Sequence, residues 1–152
     1  MSLALMLHAL SAAVWVGGMF FAYMALRPVA AALLEPPLRL PLWSRTFGRF
    51  FPWVWAAIVL LLVTGYWMIF AVFGGMAHVG LHVHIMQGIG IVMMLLFAWL
   101  YFRLYRGGLN RALADDDLPR AGQYLTRIRH VVGINLVLGL IVVAVGSGGR
   151  YW

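Results

Sequence analysis

The chain contains no cysteine and no lysine, and only four acidic residues among 152. Without thiols there are no disulfides, thiolate-bound metals, iron–sulfur clusters or cysteine nucleophiles. Any metal or cofactor must then be held by His, Met or carboxylate. Charge is scarce as well: 10% of residues are charged and 64% are apolar or aromatic, against about 25% and about 45–50% in an ordinary soluble domain. A soluble fold of usual make-up is excluded, and a membrane protein is what remains. No HExxH, P-loop, nucleotide-binding glycine fingerprint or Ser/His/Asp constellation occurs. A hydrolase and a nucleotide-driven pump are therefore set aside.

What the chain has in quantity is unbroken apolar length. Four stretches approach the roughly 20 residues that a helix needs to cross about 30 Å of hydrocarbon. The first runs from about Leu3 to Leu26 and closes at Arg27-Pro28. It lacks an N-terminal positive charge and is too long for a cleaved signal peptide, so it is expected to be a retained helix. The second spans about Pro52 to Phe73, with Pro52 in the first turn, where its missing N–H costs nothing, and Gly74-Gly75 as the stop. The third runs from about His82 to Phe102 and the fourth from about His130 to Val145. The fold expected is all-α: one integral membrane domain over residues 1–152, a four-transmembrane-helix bundle.

The formal charge is +7, and every basic residue apart from histidine is an arginine. Ten of the eleven arginines fall in the two segments that join the first helix to the second and the third to the fourth. That distribution is a topology signal rather than a nucleic-acid surface. By the positive-inside rule both connections are cytoplasmic, which places both termini and the Gly74–Leu81 loop on the periplasmic side. Between Glu35 and Phe51, arginines alternate with Leu38, Leu40, Leu42, Trp43, Phe47 and Phe50. This predicts a short amphipathic segment lying on the headgroups. Arg127, Arg129 and His130 form a basic entrance to the fourth helix suited to anionic headgroups, and Asp115-Asp116-Asp117 suits a solvated turn.

The same topology sorts the histidines. His8, His78, His82 and His84 gather at the arginine-poor side, whereas His130 lies at the other. An ionisable side chain inside an otherwise apolar helix points to a functional site, which singles out His8. His82 and His84 stand about 200° apart around a helix, so one of them would face His8; His84, the deeper, is the first choice and His82 the second. Two imidazoles facing each other across a bundle suit the axial positions of a b-type haem. Ser11, Ala12 and Trp15 lie below His8 and Gln87 and Gly88 below His84, with Ala12 and Gly88 small enough to admit a porphyrin. Arg150 is a candidate partner for a haem propionate. Asn135 is expected to be interhelical glue or a quinone contact. A rival arrangement is a copper site, since His78, His82 and His84 with Met76 and Met86 combine imidazole and thioether.

Leu7-His8-Ala9-Leu10 through Ala13-Val14-Trp15-Val16-Gly17-Gly18, with Arg27-Pro28 beyond, resembles the opening helix of the copper resistance protein D superfamily of bacterial inner-membrane proteins. It is also similar to the related HemJ-type protoporphyrinogen oxidases, small four-helix proteins that carry b haem. Leu81-His82-Val83-His84 resembles the Leu-His-Val/Ile-Lys motif of that group, with His84 where the group has lysine. The segment from Asn135 to Gly146-Ser147-Gly148-Gly149-Arg150 resembles the tails of copper-resistance-D-like proteins. The resemblance implies a multi-pass protein of the bacterial inner membrane, a haem-ligand role for His8 and a central place for His84. A second imidazole in place of lysine favours electron transfer through a six-coordinate haem over porphyrin oxidation.

The expected function is thus b-type haem binding with electron transfer or haem-linked oxidation, with a quinone, a porphyrin or a periplasmic redox protein as partner. Copper transport or resistance through a periplasmic His/Met site is the alternative. Nucleic acid is not an expected partner. A homodimer is conceivable through helix glycines such as Gly133 and Gly139.

Overall fold

A computed structural model describes residues 1–151, except for the side chain of Arg150. Four long helices account for nearly all of it: α1 (Ser2–Leu33), α2 (Pro36–Val72), α3 (Leu81–Ala114) and α4 (Leu118–Gly148). No strand occurs among the described residues. Each helix is long and apolar enough to cross a membrane, which establishes the expected all-α, four-span architecture. Neighbours in sequence run antiparallel. The start of α1 meets the end of α2 and the start of α3 meets the end of α4, as the His8–Thr64 hydrogen bond and the packing of His82 on Gly149 show.

The helices are longer than the apolar stretches within them. At 31 to 37 residues, each spans about 46–55 Å, well beyond the roughly 30 Å of hydrocarbon. The excess lies at the arginine-rich end of all four. Three expectations are corrected accordingly. The Glu35–Phe51 segment is not a separate helix on the headgroups but the first half of α2, with Leu40, Trp43, Phe47 and Phe51 buried in the bundle. Pro52 is not in a first turn but inside α2, as is Pro41. The arginines from Arg103 to Arg129 do not form a long connection: α3 continues to Ala114, and only Asp115–Asp117 separates it from α4. Charge alone cannot distinguish a loop from a solvated helix. The inward positions Leu104, Tyr105, Leu109 and Ala112 show which this is.

Local chemistry explains where the helices stop. After Val72 the chain turns through Gly74 and Gly75, whose φ angles of 79° and 119° disfavour any side chain. The Gly75 N–H donates to the Ile69 carbonyl at 2.8 Å and closes the end of α2. At the opposite turn, the Asp117 carboxylate accepts from the Arg120 N–H at 3.2 Å and caps α4, with Pro119 in the first turn. Arg120 also pairs with Asp115 at 3.6 Å, the one ion pair among the described residues.

The best-packed interior lies toward the arginine-rich end. Trp43, Phe47 and Phe51 follow one another at helical spacing along α2 and stack in series, with Phe47 and Phe51 at 4.9 Å and nearly parallel. Tyr101 and Tyr105 of α3 meet Phe51 edge-on. Phe97 joins from above, between Phe51, Trp55 and Trp15 of α1. Tyr105 donates its hydroxyl hydrogen to the Ser44 carbonyl at 3.1 Å, and Ser44 donates to Asn110 Oδ1 at 2.6 Å. The buried phenol thus has its partner.

Candidate functional site

At the arginine-poor end, the polar side chains of the helices come together in pairs. His8 lies on α1, half-buried, and its Nδ1 is 2.9 Å from Thr64 Oγ1 of α2. The Thr64 hydroxyl hydrogen is given to the Leu60 carbonyl, so Thr64 Oγ1 accepts from His8 and Nδ1 carries the ring proton. In that tautomer Nε2 carries the lone pair that a metal or proton would use, and the Leu61 backbone is a further hydrogen-bond partner of the ring. The next residue, Gly65, makes room for the ring: a Cβ there would stand 3.3 Å from His8 Cε1. Thr64 is 6% exposed and fixes the imidazole in the way that an outer-sphere partner fixes a metal-ligating histidine. Neither Thr64 nor Gly65 stands out in the sequence; the signal was a hydroxyl followed by a glycine at the depth of His8 on the neighbouring span.

On the other hairpin, His82 and Met86 lie one turn apart on α3 and both rest on α4. His82 covers Gly149, and the Met86 thioether lies against Gly146. His84, the first choice to face the bundle, is exposed, and His82 takes the inward place because residues two apart point to opposite sides of a helix. His78 occupies the exposed short turn Met76–His78. Gln87 donates to the Tyr66 hydroxyl of α2 at 2.8 Å, a polar contact between α2 and α3 near this end.

The cradle expected around a haem is not formed. His8 turns toward α2 and His84 outward, so the two do not face each other. Below His8, Ser11 returns its hydroxyl hydrogen to the Leu7 carbonyl, and Trp15, 3% exposed, fills the interior against Phe97. Ala12 is half-buried beside them. Gly88, expected to admit a porphyrin, faces open space on the outside of α3. Arg150, the expected propionate partner, has its side chain outside the described residues. Neither the small cavity beside Trp15 and Asn135 nor the larger one beside Arg27 and Arg129 is lined by a histidine. Nothing in this arrangement supports a bound haem.

Nor do ligands of the usual hard or borderline type gather: among the described residues, no three His, Asp or Glu side chains come together. What the end offers is single imidazoles and a soft thioether, in the seam between α3 and α4 and at His8. Asn135, 2% exposed, acts as the expected interhelical tie, donating from Nδ2 to the Met93 carbonyl at 3.1 Å. The glycines considered for a dimer are occupied within the chain, Gly133 against Tyr23 and Gly139 against Val16 and Met93.

Comparison with known proteins gives one family. The model described as copper resistance protein D matches residues 44–148, which include His78, His82, His84, Met76 and Met86 but not His8. No curated protein and no solved structure gives a significant match.

Proposed function

We propose that this chain, which belongs to the copper resistance protein D family, carries copper ions as cargo at the arginine-poor end of its membrane bundle, with His82 and Met86 as the receiving pair. The arginine-rich end faces the cytoplasm on this proposal, following the positive-inside rule, and the receiving pair faces the periplasm. The observation that carries it is the placement of His82 and Met86, both inside the matched residues, one turn apart against Gly146 of α4 and Gly149 just beyond it.

The chemistry is consistent with the cargo. Thioether sulfur selects Cu(I), imidazole accepts it as well, and neither adds a formal charge that a site in hydrocarbon must offset. The bare positions Gly146 and Gly149 let both donors lie along α4 rather than being pushed into lipid. His8, with Nδ1 held by Thr64, supplies a second imidazole at the same end of the bundle.

The test is metal content. Purified full-length protein in detergent is incubated with Cu(I) under ascorbate, freed of unbound metal by gel filtration, and analysed for copper. The wild type is expected to keep about one copper per chain and the His82→Ala/Met86→Leu variant about tenfold less, whereas His78→Ala retains nearly all of it. A copper-free wild type, or a double variant that holds as much copper as the wild type, would overturn the proposal. A reduced b-type haem spectrum in the untreated preparation would overturn it in favour of iron.

A further inference from the structure

A second cavity lies at the opposite end of the bundle from His8, His82 and His84, apart from the proposed receiving pair. It encloses about 250 Å³ between α1, α2 and α4. Its walls are largely apolar, with Leu40, Trp43 and Phe47 from α2 and Leu125 and Val132 from α4. Three arginines also line it, one from each helix: Arg27, Arg39 and Arg129. None of the lining residues is acidic. The one ion pair among the described residues joins Arg120 to Asp115, so none of these guanidinium groups has a carboxylate partner. Glu35, in the turn between α1 and α2, pairs with none of them.

Two of the arginines are held in place. Arg27 lies over the Tyr23 ring at 4.5 Å and donates from Nε to the Tyr23 carbonyl at 3.2 Å. Arg39 donates from Nη1 to the Leu34 carbonyl at 3.4 Å. The packing of Gly133 on Tyr23 sets the register of α4 against α1. Arg129 lies one turn from Gly133 and Arg27 one turn from Tyr23, both toward the arginine-rich end, so the two arginines stand at one level. That level is where the apolar stretches of α1 and α4 end, the depth of headgroup phosphates.

We infer that this cavity is a binding site for one anionic phospholipid, with the headgroup phosphate held by Arg27, Arg39 and Arg129 and the upper part of an acyl chain against Trp43, Phe47 and Val132. Arginine suits the task because its planar fork grips phosphate oxygens with paired hydrogen bonds and is more weakly hydrated than an ammonium. The apolar walls are what separate a lipid from a free phosphate ion: the ion would use the guanidinium groups and leave the walls uncovered. The site is distinct from the general attraction of an arginine-rich surface to a negatively charged leaflet, since it has a volume that can be filled.

Native mass spectrometry of the full chain released from mild detergent tests the inference, with palmitoyl-oleoyl phosphatidylglycerol, the matching phosphatidylcholine and inorganic phosphate as separate probes. One phosphatidylglycerol per chain is expected, bound about tenfold more tightly than phosphatidylcholine, with no retention of inorganic phosphate at equal concentration. Arg27→Gln/Arg39→Gln/Arg129→Gln should weaken that binding about tenfold or more. Gly122→Leu should weaken it comparably with every charge intact, because Gly122 borders the cavity and a Cβ there meets nothing within 4 Å. That variant replaces a helical glycine with a stronger helix former and preserves the test if the triple variant does not fold. Arg45→Gln/Arg103→Gln/Arg111→Gln removes the same charge from exposed positions outside the cavity and should change binding less than about twofold. Equal binding of the two lipids, equal losses in the two triple variants, or a Gly122→Leu protein that binds like the wild type would overturn the inference. Retention of inorganic phosphate as tightly as the lipid would overturn the lipid as occupant.

Discussion

The two ends of this bundle are built on different principles. At the arginine-rich end, where the helices overrun the hydrocarbon, side chains pack as in a water-soluble protein: Leu109, Ala112, Ala121 and Ile128 are fully buried, and the aromatic series from Trp43 to Phe51 lies between α2 and α3. At the histidine end, large apolar side chains such as Leu3, Leu5, Leu81 and Phe70 point outward. The helices meet there through glycines and single hydrogen bonds, namely His8 with Thr64, Gln87 with Tyr66, and His82 and Met86 on Gly149 and Gly146. Water drives apolar groups together, whereas lipid tails are as apolar as leucine and supply no such force. Within the membrane, close backbone approach and polar pairing hold the helices instead. The difference teaches that one end can serve as a rigid base while the other keeps its donors accessible.

Three substitutions sharpen that contrast. The largest effect is expected for Phe51→Ala, which opens a hole where Phe47, Phe97, Tyr101 and Tyr105 converge and should destabilise the protein by about 3–5 kcal/mol in a denaturant titration of the detergent-solubilised chain. A loss comparable to that of a lipid-facing site would mean that the arginine-rich end has no core of its own. Thr64→Val should cost about 1 kcal/mol, in line with single polar contacts between membrane helices. It should also free the His8 ring proton to exchange between the two nitrogens, visible in the imidazole nitrogen resonances. Unaltered resonances would show that Thr64 does not set the tautomer. The smallest effect belongs to Leu95→Ala, an outward position on α3 at 66% exposure, expected to stay within about 0.5 kcal/mol. A larger loss there would reveal a protein partner where lipid is expected.

How much of this was legible beforehand differs from element to element. The number of spans was plain, because each of four helices carries an apolar stretch of crossing length. The Gly74-Gly75 stop was plain as well, since successive glycines tolerate the φ angles such a turn requires. The overrun of the helices was misread: Arg39, Arg45 and Arg49 look the same in composition whether they lie on headgroups or line a solvated helix, and Pro52 looks like a helix start. Its N–H is missing, yet α2 passes through it, because the packing of Phe47, Phe51 and Val54 outweighs one lost backbone hydrogen bond.

For the site, sequence drew attention to His8, His82, Met86 and the arginines, but not to their partners. Residue type and hydropathy depend on the chain alone, and they were enough to specify a four-span all-α membrane protein with four of its five histidines at one end and ten of its eleven arginines at the other. The rest depends on the rotation of each helix about its axis and on the register between neighbours, which are decided jointly by contacts far apart in sequence. Those contacts turned His8 toward Thr64 rather than His84, chose His82 over His84 for the seam, and drew Arg27, Arg39 and Arg129 from three helices around one cavity.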